Sequence, residues 1–185
     1  MAKKKGNFFM GLLALSLVLG LLSGPAWGES TTTVGGSTAA RLNFQINIPT
    51  ILSLQVGTSG ANVDTVSCGL VNIPGSGGVA MNSSGANPVP VNVAAVVPAG
   101  QAVRLTANSN TPMTNGSETI NFDQITCAAG GAFSAYTFNN AATQPLDSFT
   151  GSGLRQGTYA FTYANTEYHG TGTYNGQVTY TLTSP

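Results

Sequence analysis

Alternation between apolar and polar side chains organises most of this chain. Leu42, Phe44, Ile46 and Ile48 alternate with Asn43, Gln45 and Asn47, a period of two that predicts a strand with one buried face. Pro49 stops or bends that strand, and a second begins at Ile51 and runs to Val56. Further strand signals cover 63–71, 89–97, 102–107, 119–127, 135–138, 158–163 and 176–182. Turn-rich stretches separate them at 74–78, 82–88, 108–116, 128–131 and 148–157, where Gly, Pro, Asn and Ser break any regular pattern. Tyr159, Phe161 and Tyr163 share one face of their strand, and Val178, Tyr180 and Leu182 share one face of theirs.

Short strands at this spacing predict an all-β domain, a two-sheet sandwich, with a closed barrel as the alternative. The strands at 158–163 and 176–182 are expected to pair as sequential neighbours, although 164–175 is long for a hairpin loop. The aromatic faces have two readings. An exposed stripe would suit a sugar, and a buried one would fill a core. Only Thr and Ala lie opposite Tyr159, Phe161 and Tyr163, so core is the expectation.

The first residues follow a different pattern. Lys3, Lys4 and Lys5 precede a nearly unbroken apolar run from Phe8 to Leu22, and Ala26-Trp27-Gly28 offers small residues before Glu29. This is the layout of a secretory signal peptide over 1–28. The run is shorter than the roughly 20 apolar residues that a membrane span needs. Residues 29–40 form a Thr/Gly-rich lead, expected to be flexible, and 41–185 form one domain. The expected destination is the cell surface or the medium, through the periplasm.

Removing the leader removes every Lys and the only Trp, leaving three Arg against six acidic residues, a formal net of −3. Three cations make no basic patch, so neither nucleic acid nor an anionic membrane is an expected partner. Without Trp, the Cys–Trp–Cys core of antibody domains is also missing. Cys68 and Cys127 are the only cysteines. An even count in an exported chain is read as one disulfide, which would contribute about 4 kcal/mol by loop closure.

The residues offer little catalytic chemistry. No Ser has Gly two positions before and two after it, so the nucleophile elbow is missing. His169 is the only His and cannot build a two-His metal site. It is read as a loop residue beside Gly170. Gly75-Ser76-Gly77-Gly78 lacks the Lys of a phosphate loop and is read as a turn. The scattered acids form no calcium ladder. No enzyme, cofactor or metal is expected.

The segment Leu42-Asn-Phe-Gln-Ile-Asn-Ile48 has two open placements. It is either the domain's own first strand or a strand that completes a neighbour's sheet. Burying its four apolar side chains would supply about 6–12 kcal/mol before entropy costs. That segment, the two-Cys Thr/Gly/Asn-rich β domain after it, and the stretch Gly172-Thr-Tyr-Asn-Gly-Gln-Val-Thr-Tyr-Thr-Leu182 together resemble the pilin-like subunits assembled by chaperone and usher. The likeness is greatest to the archaic group that includes spore-coat-U-type domains. The resemblance implies an incomplete immunoglobulin-like two-sheet sandwich whose groove takes a strand from the next subunit, with Leu42, Phe44, Ile46 and Ile48 as the donor plugs. It also implies partners: other copies or related subunits, a periplasmic chaperone and an usher. Two features depart from the family's pattern. Cys68 lies well behind the donor segment, and the final residues are Thr-Ser-Pro. The leading expectation is a filament subunit, and the alternative is a monomeric surface module that binds a glycan or a protein.

Overall fold

The computed structural model describes residues 30–70 and 74–185. The expected signal peptide lies outside the described residues. The chain divides between Asn47 and Ile48 into two units.

The described part of the first unit holds no helix or strand. It bends at Val34–Gly36, and the Thr31 hydroxyl lies 2.5 Å from that of Thr38 and donates to the Ala39 carbonyl at 2.8 Å. The alternating segment, which crosses the boundary between the units, is in no strand. Leu42, Phe44, Ile46 and Ile48 are 70, 86, 85 and 69 % exposed. Its alternation is therefore present without the ladder that such alternation usually serves.

Strands supply nearly all the regular structure among the described residues of the second unit. In chain order its elements are β1 (Ile51–Val56), β2 (Val66–Ser67), β3 (Val79–Ala80), β4 (Asn82–Ser83), β5 (Val89–Val96), β6 (Ala102–Asn108), β7 (Met113–Asn115), β8 (Glu118–Ile120), a 3-10 turn (Phe122–Gln124), β9 (Ile125–Gly131), β10 (Tyr136–Thr137), β11 (Gln144–Thr150), β12 (Gly153–Tyr163) and β13 (Thr179–Thr183). The larger sheet runs β1-β5-β12-β9-β10, with β3 joined to the end of β12, and the smaller runs β11-β6-β13. All pairings are antiparallel. Two short hairpin-like pairs, β2–β4 and β7–β8, stand beside them.

The two sheets close on one core, as expected of an all-β sandwich. Val89, Val91 and Val93 on β5, Leu105 and Ala107 on β6, and Tyr159, Phe161 and Tyr163 on β12 belong to one buried cluster. Alternation puts them there: along β5 the inward positions are buried while Pro90, Asn92 and Ala94 face out. Each fully buried aliphatic side chain contributes about 1.5–3 kcal/mol. The aromatic rings interlock, Tyr136 meeting Tyr159 edge-on at 5.3 Å and Phe138 stacking on Phe161 at 6.3 Å. The core reading of Tyr159, Phe161 and Tyr163 therefore holds.

Several expectations are corrected. β12 and β13 do not pair; they lie in different sheets, each filling one side of the core. The strand expected over 63–71 reduces to Val66–Ser67 among its described residues. The turn expected over 148–157 is confined to Gly151 and Ser152, between β11 and β12. Cys68 and Cys127 are unbridged thiols. Cys127 faces inward from β9 opposite Tyr136 and Phe161. Cys68 follows β2, which is laddered to β4 and not to the larger sheet, so no backbone pairing brings the two sulfurs together.

Candidate functional site

A sandwich exposes strand edges, and this one treats its edges unequally. β11 borders the smaller sheet on one side. It carries Pro145 and Asp147, with a register break between them. Proline, charge and a bulge all discourage further pairing. β10 ends the larger sheet after only two residues, too few to template another strand.

The remaining two edges have none of these protections. β1 reads Ile-Leu-Ser-Leu-Gln-Val and β13 reads Thr-Tyr-Thr-Leu-Thr, without charge, proline or register break. Among the described residues, β1 is laddered only to β5 and β13 only to β6. The two strands belong to different sheets yet approach within 8 Å between Cα atoms, without pairing. They form an unpaired seam along one side of the sandwich. Leu54 and Val56 line it from β1, and Val178, Tyr180 and Leu182 from β13 or just before it. All five pack against the core while staying partly exposed. Two strands flanking a third stand about 9.5 Å apart. Where the two strands approach within 8 Å, the seam would have to part by at least about 1.5 Å to admit one.

Above the seam, β13 is tied across the sandwich. The Tyr180 hydroxyl lies 2.8 Å from the Tyr136 hydroxyl of β10. Burial raises the pKa of both phenols well above the usual tyrosine range, so both stay neutral and share a hydrogen bond. Burial likewise pushes the nearby Cys127 thiol up to about 11.

The chain entering β13 is strapped down by a second polar cluster. Gly170 N–H donates to Glu118 Oε2 at 2.7 Å, and the Tyr174 hydroxyl donates to the same oxygen. These two donors hold the Glu118 carboxyl below its usual range, the Tyr174 bond contributing most. Asn115 Nδ2 donates to the Thr171 carbonyl at 3.3 Å, and Thr114 exchanges backbone bonds with Asn175 at 2.9 and 3.0 Å. The strap over 170–175 is thus held on the β7–β8 pair.

His169 lies in that strap as a loop residue. Its Nε2 is 3.7 Å from Glu167 Oε2 and has no hydrogen-bond partner. Among the described residues no Ser or Cys nucleophile is hydrogen-bonded to its Nε2. Among the described residues no three of His, Cys, Asp and Glu cluster to hold a metal, and no helix is long and apolar enough to cross a membrane. No aromatic platform for a sugar forms from the strand faces: Tyr159, Phe161 and Tyr163 are buried, and Phe138 and Tyr136 pack with them in the core. Among the described residues only Phe44 and Tyr168 are exposed aromatics. An open depression of about 520 Å³ is bordered by Thr126, Cys127, Ala128, Ala135, Tyr136, Thr137 and Thr162, with no carboxylate, imidazole or amine in its lining.

Of the residues singled out in the sequence, Leu42, Phe44, Ile46 and Ile48 are presented to solvent, and Cys68 and Cys127 are not brought into a bond. The seam and the strap were not foreseen, because both depend on strand partners that no local pattern names. No protein-family model matches the chain, and neither a curated protein nor a solved structure matches it.

Proposed function

We propose that this protein is an exported structural subunit that assembles by non-covalent strand complementation. In that assembly the segment 41–48 of one copy completes the β1–β13 seam of another. The observation that carries this reading is the coexistence of two complementary defects. One is a pair of unguarded edges in a sandwich whose other edges are guarded. The other is an alternating segment with four exposed apolar side chains and no strand of its own. A strand entering the seam would gain main-chain hydrogen bonds from an edge, and Leu42, Phe44, Ile46 and Ile48 would cover Leu54, Val56, Val178, Tyr180 and Leu182. The protein's work is then mechanical and adhesive, with no turnover. A chaperone that shields the seam during export, and an usher that orders assembly, are proposed with it.

The test uses the full chain. Run unboiled on a denaturing gel, the wild type is expected to show a ladder that collapses to one band on boiling. The Phe44→Asp, Ile46→Asp chain is expected to stay monomeric and to bind an added peptide of residues 41–48. A wild type that is monomeric at every concentration, with a seam that takes up no peptide, would overturn the reading.

A further inference from the structure

The open seam explains how a copy is held but not how two copies sit against each other. The start of β1 does bear on that. Ile51 opens β1 opposite Val96, the last residue of β5. Leu154, near the start of β12, stands opposite Ala94. Directly opposed residues share a face, and so do residues two apart on one strand. Ile51, Val96, Ala94 and Leu154 therefore lie together on the outer face, at one end of the larger sheet. Ile51 is 51 %, Val96 37 % and Leu154 59 % exposed. The adjoining Arg155 does not cover them, because it points to the opposite face and lies over the Phe149 ring at 5.2 Å. The result is an aliphatic patch on three neighbouring strands, which in a solitary domain would stay wet at a cost.

We infer that this patch is a second subunit–subunit contact, occupied by the copy that receives the chain's own segment 41–48. The inference rests on the strand-complementation reading and adds to it. Its warrant is the length of the tether. Only Pro49 and Thr50 separate Ile48 from Ile51. Three Cα steps span at most about 11 Å, and proline stiffens the first of them. If Ile48 is seated in a neighbour's seam, Ile51 must lie against the mouth of that seam. Val96 and Leu154 follow one and two strand spacings away, about 5 and 10 Å. The short tether thus selects the occupant: no other molecule can reach this end of the sheet while the receiving copy is there. Burying the patch makes the joint between copies stiff and slow to open.

The test separates the joint from the strand exchange. Leu154→Glu places a charge in the patch at its most exposed position, so the fold and its melting temperature are expected to be retained. In the full chain carrying Phe44→Asp and Ile46→Asp, adding Leu154→Glu should leave the affinity for the 41–48 peptide within about twofold. In the chain with its native segment, Leu154→Glu oligomers should dissociate at least tenfold faster than wild type. Inserting six Gly/Ser residues between Pro49 and Thr50 should speed dissociation similarly, and Leu154→Glu should then add nothing, because the long tether has already uncoupled the two surfaces. Leu154→Glu oligomers that dissociate as slowly as wild type, with peptide binding intact, would overturn the patch contact and leave strand exchange standing. A wild-type seam that binds no peptide would sink both.

Discussion

Tyr136 and Tyr180 join their hydroxyls at 2.8 Å, one from each sheet, and so close the sandwich with a hydrogen bond between neutral phenols. Either change to Phe strands the surviving hydroxyl in a buried site. Tyr136→Phe and Tyr180→Phe should each cost about 1–3 kcal/mol. The double variant should cost less than their sum, since it strands nothing. Tyr159→Phe is the control: its hydroxyl is buried without a hydrogen-bond partner, so its removal should be neutral or slightly stabilising. Urea unfolding of the four proteins checks the cycle.

Glu118 makes the strap over 170–175 sensitive to acid. Its folded-state carboxyl is held below the ordinary range, first by the Tyr174 hydroxyl, then by the Gly170 N–H, with a smaller contribution from His169. A depressed acid stabilises above its unfolded value and loses that contribution as pH falls through the folded one. Exchange of the Gly170 amide should therefore accelerate as pH drops below about 4, after correction for intrinsic rates. Glu118→Gln should exchange quickly at every pH. An acid-insensitive wild type would refute this.

Gly157 on β12 faces Gly131 on β9 so closely that a Cβ at residue 157 would lie 2.1 Å from the Gly130 carbonyl oxygen and 2.7 Å from the Phe133 ring. Backbone on one side and a packed ring on the other leave no cheap escape. Gly157→Ala should cost about 2 kcal/mol or more, whereas Gly151→Ala meets no neighbour within 4 Å and should cost less, its penalty coming from its left-handed backbone alone. Thermal melts distinguish them.

The thiols give a chemical check on the corrected pairing. With Cys68 half-buried and Cys127 buried and raised to about 11, a maleimide at neutral pH should label Cys68 first. Cys127 should react at an appreciable rate only once the protein opens. Reducing agent should leave the melting temperature unchanged. A melting point that falls by several degrees on reduction would show a bridge after all.

Much of the core was legible because burial writes itself as alternation. Tyr159, Phe161 and Tyr163 could be assigned to an inward face before any partner was known, whereas 89–97 showed a strand without saying that Val89, Val91 and Val93 face in. β11 was missed because an edge strand that resists pairing uses Pro145, Asp147 and Ser148, the vocabulary of turns. The separation of β12 from β13 was hidden because side-chain period reports which face is buried, never which strand lies alongside. Glu118 and Tyr174 stand far apart in sequence without periodic signal. The segment 41–48 shows the opposite limit: its alternation was plain, but nothing local could say whether a ladder accompanies it.

The bulge and proline on β11 have a consequence for the shape of any assembly. A sandwich accepting strands on both flanks would branch and spread into plaques. In the proposed assembly, with one flank blunted and the other open, each copy would offer one seam to be joined at and one segment to join with, so growth would follow a line with unlike ends.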